Sequence, residues 1–141
     1  MRSRNDMLAL REAVKNGLID CIASHHMPQE WDSKTCEFEY AKNGMIGLQT
    51  SFASVKTAIP GLTSKQIEDL FSLNARKIFG LPVSTIDEGA NADITLFSEQ
   101  ENTLFTKANN KSKSINSPFI DVALNGKVIG VYNKGNLFIN D

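Results

Sequence analysis

The most informative stretch of the chain reads Ile19-Asp20-Cys21-Ile22-Ala23-Ser24-His25-His26-Met27-Pro28-Gln29. Its apolar first half predicts a short buried strand over residues 18–23, because brief apolar runs bounded by polar residues are typical of strands in α/β folds. The polar second half contains both histidines of the sequence. Catalytic groups of α/β proteins commonly lie where a strand ends in a loop, so a functional site is predicted here.

Helical patterns lie on both sides of this stretch. Residues 5–16 predict an amphipathic helix, and Gly17 stands where a C-terminal cap belongs. After a polar loop over residues 24–43, the mostly apolar residues 44–55 predict a buried helix. The dipeptide Pro60-Gly61 is expected to break that helix, because proline and glycine together are typical of turns.

Two further helices are expected before the character of the chain changes. Thr63 and Gln66 have the spacing of a capping box, in which each side chain bonds to the main chain of the other residue. They predict the start of a helix that runs through Ile67, Leu70 and Phe71. A second, short helix is predicted over residues 74–79, ending before Gly80.

The last part of the chain has the alternation of β-strands. Strands are predicted over residues 92–97, 127–132 and 137–139, with a polar, solvated loop at 109–114. We therefore expect a change of architecture near Leu81-Pro82. Residues 1–80 form the α/β part in this interpretation, and residues 81–141 form a small β unit.

Composition restricts the class of protein. The chain has 141 residues, 41% hydrophobic and 22% charged, with a formal net charge of −1. These values are typical of a globular protein and give no reason to expect nucleic acid as a partner. No apolar run approaches the roughly 18 residues of a membrane span, and no signal-peptide pattern opens the sequence. Two cysteines make no disulfide framework, so we expect reduced thiols and a cytoplasmic location.

Further segments carry a family resemblance. They are Arg2-Ser3, Glu37-Phe38-Glu39-Tyr40-Ala41-Lys42-Asn43-Gly44-Met45-Ile46-Gly47-Leu48-Gln49-Thr50, Asn74-Ala75-Arg76-Lys77-Ile78-Phe79-Gly80-Leu81, Ile86-Asp87-Glu88-Gly89-Ala90-Asn91-Ala92-Asp93-Ile94-Thr95-Leu96-Phe97 and Ser117-Pro118-Phe119 with Gly126-Lys127-Val128. Each segment alone is a weak signal. In order and spacing, together with the loop at residues 25–29, they resemble the C-terminal portion of dihydroorotases, the zinc-dependent cyclic amidohydrolases of pyrimidine biosynthesis.

This resemblance implies the fold. Dihydroorotases have a (β/α)8 barrel flanked by a small β-sandwich, and a complete barrel needs roughly 250 residues. The expected fold class is therefore α/β, the C-terminal part of a TIM-type barrel with part of the flanking β-sandwich. Residues 1–80 are expected to provide the last barrel strand and the C-terminal helices, and residues 81–141 the sandwich strands.

The resemblance also assigns roles to loop residues. The family loop reads Asp-His-Ala-Pro-His or a close variant, and its Asp transfers a proton between the attacking water and the leaving amide nitrogen. His25 occupies that catalytic position. Substrate-binding positions of the family fall on Met27, Gln29 and Gly44, with Gln29 in place of a histidine that contacts the substrate carboxylate.

The two replacements alter the chemistry that the loop can perform. An imidazole can act as a base or bind zinc, but it is neutral where the family has an anion, and Gln29 carries no charge. Loss of a central acid/base group removes about 10²–10⁴ in rate. The resemblance places the zinc ligands mostly outside this chain, so no cofactor is expected for the segment alone, with His25 the one candidate metal ligand. A site formed by His25, His26, Cys21 and Cys36 has no known structural-zinc spacing.

Several functions stay open at this point. The leading interpretation is a segment of a dihydroorotase-like enzyme whose family reaction is the reversible cyclisation of N-carbamoyl-L-aspartate to dihydroorotate, impaired here by the His25 replacement. A second is a non-catalytic dihydroorotase-like partner of aspartate carbamoyltransferase. A third is an active amidohydrolase with a different cyclic amide substrate, and a fourth is a self-standing domain of unrelated role. The expected contacts of the segment are the missing N-terminal barrel portion or a second copy of itself.

Overall fold

The computed structural model describes residues 3–140. Four α-helices come first, α1 (Arg4–Lys15), α2 (Ser51–Ala58), α3 (Ser64–Glu68) and α4 (Asn74–Ile78), with a π-helical turn, Asp69–Leu73, between α3 and α4. Three strands follow, β1 (Asp93–Phe105), β2 (Val122–Asn133) and β3 (Asn136–Ile139). They form one sheet in which β2 lies between β1 and β3.

The chain is organised as two compact units. The first comprises the chain up to Ala23, residues 58–97 and the chain from Val128 onward. The second comprises residues 24–57 and 98–127. The boundary expected near Leu81-Pro82 concerns the domains of the longer family fold and stays a prediction.

Helix α1 begins and ends within one residue of the helix predicted over residues 5–16. Ser3 and Asp6 form a capping box, in which the Asp6 N–H donates to Ser3 Oγ (3.1 Å) and the Ser3 N–H donates to Asp6 Oδ2 (3.0 Å). Val14 is the buried residue of the helix. The helix ends at Asn16 as its C-cap, and Gly17 follows with a φ of 70°, the left-handed conformation that favours glycine.

The strand predicted over residues 18–23 is wrong. These residues have no regular secondary structure, and Leu18 is 74% exposed. One main-chain bond, from the Ile22 N–H to the Leu70 carbonyl (3.0 Å), holds the segment against the π-helical turn. A strand exists only when a neighbouring strand pairs with it, and the described residues place none beside this segment.

The helices after residue 60 form one interrupted helical stretch. The predicted capping box is confirmed, since Gln66 N–H donates to Thr63 Oγ1 (3.2 Å) and Thr63 N–H donates to Gln66 Oε1 (3.0 Å). The two predicted helices are joined by the π-helical turn, which inserts one extra residue without ending the helical path. Ile67 and Leu70 are buried, as their spacing predicts.

The predicted buried helix over residues 44–55 is right only in its second half. Helix α2 begins at Ser51 and buries Phe52 and Ala53. Gly44 has a φ of 104°, which no helix allows, and Met45 pairs with His26 in an isolated parallel bridge. This non-local pairing outweighs the helical preference of residues 44–50. Pro60-Gly61 follows the end of α2, in agreement with its predicted role as a helix breaker.

Strands β1 and β2 are longer than the alternating sequence pattern predicted. The predicted strand 92–97 begins one residue before β1, and the predicted strand 127–132 lies within β2; both observed strands extend through polar residues where the alternation stops. β2 and β3 pair antiparallel, with Asn133 opposite Asn136, around a two-residue turn. Lys134 and Gly135 have φ angles of 49° and 80°, the pattern of a type I′ hairpin turn.

The second unit packs the ends of the strands on α2. Phe105 is 2% exposed, and Leu124 and Phe52 are buried with it. Lys56 of α2 forms an ion pair with Glu99 of β1 (2.5 Å), and the Asn125 N–H donates to Thr57 Oγ1 (2.8 Å). These contacts hold α2 against β1 and β2 within the second unit.

In the first unit, one carboxylate ties β1 to α4 and β2. Asp93, at the start of β1, accepts hydrogen bonds from Arg76 Nη2 and from Asn133 Nδ2 (2.9 Å). Arg76 Nη1 also donates to the Pro82 carbonyl (2.7 Å). The hydrogen bonds from Asn133 and Arg76 hold the pKa of Asp93 below its ordinary value. Asp93 is therefore a hydrogen-bonding residue at the entry to β1.

We expect Asp93→Asn to lower the free energy of unfolding by about 1 kcal/mol at pH 7, the upper end for a partly exposed ion pair. Because the pKa of folded Asp93 is lowered, its contribution is complete above the unfolded value of about 3.9 and is lost as the pH falls through the folded-state pKa. Urea unfolding should therefore show a gap between wild type and variant at pH 7 that closes in acid. Asp87→Asn, at an exposed turn, is the control, and an equal gap at both pH values would contradict the role of the charge.

Candidate functional site

The two histidines lie in residues 24–30, which we call the histidine loop. This loop runs beside residues 44–48, and the Met27 N–H donates to the Met45 carbonyl (2.8 Å). Both segments lack regular secondary structure apart from the bridge between His26 and Met45. The structure therefore brings the predicted site residues Met27 and Gln29 close to the segment that carries Gly44.

His26 is a structural residue of this arrangement. Its Nδ1 accepts hydrogen bonds from the main-chain N–H groups of Gly47 and Leu48, each at 3.2 Å. A ring nitrogen that accepts a hydrogen bond carries no proton, so in the neutral ring the proton is on Nε2. His26 thus presents a donor and not a metal-binding lone pair, and its ring holds the loop to the segment that contains Gly47 and Leu48.

His25 has a different setting. Its φ of 45° lies in the left-handed region, which histidine, asparagine and aspartate enter more readily than most side chains. The imidazole is exposed and forms no hydrogen bond or ion pair with any residue between 3 and 140. A general base is normally oriented by an acceptor on its second nitrogen, and this part of the chain provides none for His25.

Gln29 is fixed by its main chain and by its side chain. The Gln29 N–H lies 3.2 Å from both Ser114 Oγ and Asn116 Oδ1. Its Nε2 donates to the Asn43 carbonyl (3.2 Å). One amide hydrogen and the carbonyl oxygen of this side chain are left to meet a ligand. Such a group can orient a polar ligand, but it adds no charge to hold a carboxylate.

Gly44 is required for the close approach of the two segments. A Cβ at this position would lie 2.6 Å from Met27 Cβ and 3.0 Å from Met27 Sδ. The positive φ of 104° would in addition strain any other residue. Met27, half-buried, therefore packs directly against the backbone of Gly44, so that these two predicted substrate-binding residues are neighbours.

An open cleft of about 740 Å³ adjoins this pair of segments. Its lining comes from the histidine loop and its continuation, from residues 44–45 and from residues 113–118. Gln29 and Gly44 line the cleft, whereas His25 and Met27 do not. Lys34 and Lys113 contribute positive charge and Glu30 a negative one. Only part of the predicted site therefore faces the cleft.

Ser114 and Asn116 are neighbours of the predicted site that the sequence pattern did not reveal. Ser114 ends the stretch 109–114, which suggested only a solvated loop, and Asn116 follows that stretch. Both are half-buried, and both bond to the main chain of the histidine loop. The signal that could have revealed them was Asn116 directly before Ser117-Pro118-Phe119, the segment already matched to the family.

The described residues do not form a zinc site by themselves. Between residues 3 and 140 no group of three or more His, Cys, Asp or Glu side chains converges. Cys21 and Cys36 are free thiols, the first half-buried and the second exposed. His25 can offer a metal one ligand, since His26 is held through Nδ1. No helix in this part of the chain is long and apolar enough to cross a membrane.

Sequence comparison relates the chain to known hydrolases. A profile described as the amidohydrolase family matches residues 1–138. The dihydroorotase of Syntrophus aciditrophicus is 37% identical over 92% of this chain, and that of Acetivibrio thermocellus is 37% identical over the whole of it. The chain spans 31% and 34% of these two proteins, about a third of their length. The resemblance to dihydroorotases predicted from the motifs is confirmed.

Comparison with solved structures identifies larger proteins that contain the fold of this chain. A D-hydantoinase (dihydropyrimidinase) from Thermus sp. superposes with a TM-score of 0.83 at 21% identity, covering all of this chain and 34% of that one. An L-hydantoinase from Arthrobacter aurescens gives a TM-score of 0.81 at 21% identity, with 96% of this chain and 32% of that one covered. The chain therefore has the fold of a part of these larger proteins.

We expect Gly44→Ala to destabilise the protein by about 2–4 kcal/mol, because it adds backbone strain to a clash with Met27. Gly17→Ala is the matched control, since Gly17 also has a positive φ (70°) but a Cβ added there would meet no other atom within 4 Å. Its cost should be about 1–2 kcal/mol.

The measurement is chemical denaturation of both variants and of Gly44→Ala combined with Met27→Gly. The second change removes the Cβ that the new methyl group would strike, so it should recover part of the loss. Equal destabilisation by Gly44→Ala and Gly17→Ala would show that close packing on Met27 is not the constraint.

Proposed function

The chain belongs to the amidohydrolase family, and we propose that it supplies the eighth-strand loop of a TIM-type barrel and part of the flanking β-sandwich to a dihydroorotase-like protein. The support comes from the site, where the histidine loop and the Gly44 segment are held side by side at the cleft. The family reaction is the reversible cyclisation of N-carbamoyl-L-aspartate to dihydroorotate. In this proposal, pyrimidine biosynthesis in the cytoplasm is the setting.

The segment does not complete an active site alone. It spans about a third of its dihydroorotase relatives, and its described residues bring together no metal-binding group. Large apolar side chains are exposed, among them Phe38 (95%), Ile86 (89%) and Leu18 (74%). Exposed apolar surface of this kind is typical of contact regions. We propose that the other portion of the barrel, or a second copy of the chain, covers it.

Catalysis at this loop is proposed to be weak. In dihydroorotases the first loop residue is an aspartate, and the corresponding His25 has no carboxylate, is exposed and lacks an orienting partner among residues 3–140. Since a central acid/base group contributes about 10²–10⁴ in rate, its replacement by an unoriented imidazole leaves little of that factor. This setting of His25 is the observation that carries the proposal of impaired activity.

The histidine loop also supports a second function. Gln29 uses its side-chain N–H to hold Asn43 and offers no charge to a substrate carboxylate. A loop that keeps its shape but lacks the family's acid/base group and its carboxylate-binding histidine fits a non-catalytic dihydroorotase-like partner. The partner proposed for such a protein is aspartate carbamoyltransferase, and co-purification with that enzyme tests it.

We expect the protein at its natural length to hydrolyse dihydroorotate slowly or not at all, and the combined change His25→Asp with Gln29→His to raise the rate by about 10²–10⁴. The measurement is dihydroorotate hydrolysis with zinc in the buffer, together with the zinc content of each protein. His26→Asn is a useful control, because its side-chain oxygen can replace Nδ1 as the acceptor for Gly47 and Leu48 without restoring an acid at position 25.

The outcomes separate the functions. Hydrolysis at a normal family rate by the wild type would refute impairment at His25. If neither the wild type nor the double variant hydrolyses dihydroorotate, and neither binds zinc, the result would favour the non-catalytic partner. Stoichiometric zinc with no dihydroorotate hydrolysis by either protein would favour an amidohydrolase acting on a different cyclic amide.

A further inference from the structure

Asn116 contacts the main chain at each of the three predicted substrate-binding residues. Its Nδ2 donates to the carbonyl of Met27 (3.0 Å) and to the carbonyl of Gly44 (3.3 Å). Its Oδ1 accepts the N–H of Gln29 (3.2 Å). The main-chain carbonyl of Asn116 in addition accepts the N–H of Ile46 (3.1 Å). One residue thus joins both segments of the site.

Ser114 completes this set of bonds. Its hydroxyl lies within hydrogen-bond distance of the Gln29 carbonyl and 2.5 Å from Asn116 Oδ1, and it also accepts the Gln29 N–H (3.2 Å). The single hydroxyl proton is shared between the two acceptors. Ser114 is itself fixed, because Asn110 Nδ2 donates to its carbonyl (2.8 Å). We call Ser114 and Asn116 the clasp.

The chemistry of the clasp is specific to a carboxamide. Two carbonyls face Nδ2, which has two hydrogens to donate, and two donors face Oδ1, which has two lone pairs to accept. An aspartate at position 116 would keep the two bonds that Oδ1 accepts. It would place a negative charge against the carbonyls of Met27 and Gly44. Because the contacts on the loop are main-chain atoms, the clasp holds its shape whichever side chains the loop carries.

We infer that Asn116, supported by Ser114, is the positioning residue of this site, setting the separation of Gln29 and Gly44 across the cleft that binds the substrate. The inference rests on the proposed function for the identity of the ligand, a cyclic amide bearing a carboxylate. Its geometric part, that Asn116 orders the histidine loop, is independent of any activity. Asn116 does not touch the reacting atoms in this assignment.

A purely structural role makes a different prediction. If Asn116 only stabilised the fold, its replacement would lower stability without changing what Gln29 contributes to binding. If Asn116 places Gln29 at the ligand, the effects of the two residues on affinity depend on each other. A double-mutant cycle between Asn116 and Gln29 therefore distinguishes the two roles.

The test compares Asn116→Asp with Asn109→Asp in the protein at its natural length. Asn109 is the matched control, since its side chain bonds only within its own turn, to the Thr106 N–H (2.8 Å) and the Leu104 carbonyl (2.8 Å). Dihydroorotate affinity is measured by calorimetry, well below the melting temperature, with and without Gln29→Ala. Hydrogen exchange is measured at the amides of Met27 and Gln29.

We expect Asn116→Asp to weaken dihydroorotate binding about tenfold with Gln29 present and less than twofold with Gln29→Ala, and to speed exchange at both amides about tenfold. Asn109→Asp should change neither. Equal losses of affinity in the two Gln29 backgrounds, or unchanged exchange, would overturn the inference.

Failure of the proposed function would give a different result from failure of the inference about Asn116. If neither the wild type nor Asn109→Asp binds dihydroorotate, the ligand assignment fails, and hydrogen exchange alone decides the positioning role. Faster exchange in Asn116→Asp then supports ordering of the histidine loop by Asn116, and unchanged exchange refutes it.

Discussion

The conformation of the histidine loop depends on side chains that hydrogen-bond to its main chain. The loop belongs to no helix or sheet, and a single parallel bridge links it to the segment beside it. His26 supports that segment from the loop side, and Asn116 binds both segments from a distant part of the sequence. Without these bonds the polar main-chain groups of the loop would have to find water or other partners. The cleft exists because the two segments are held at a fixed separation.

Local signals in the sequence predicted local structure well. The capping box at Thr63, the end of α1 near Gly17 and the short separation of the last two strands each depend on residues a few positions apart. For such features the interacting groups are all contained in the pattern being interpreted. Their positions were therefore predictable to within a residue or two.

Features that depend on distant contacts were not predictable. The apolar residues 18–23 need a neighbouring strand to become a strand, and residues 44–50 leave the helical conformation because they pair with the loop at His26. Ser114 ended a stretch that resembled an ordinary solvated loop and Asn116 followed it, yet their side-chain partners in the two segments of the site lie 72 to 89 positions earlier in the chain. The motifs identified the loop and its resemblance to the family. The clasp that shapes it became apparent only in three dimensions.

The backbone at position 25 limits which side chains this site can carry. A φ of 45° is costly for β-branched and bulky side chains and is tolerated best by glycine, asparagine, aspartate and histidine. Valine or isoleucine at this position would disturb the main chain that neighbouring residues hold. The main chain therefore restricts the chemistry available at position 25 to a short list of residues, and an imidazole is one of the few functional groups that it accepts without a change of loop conformation.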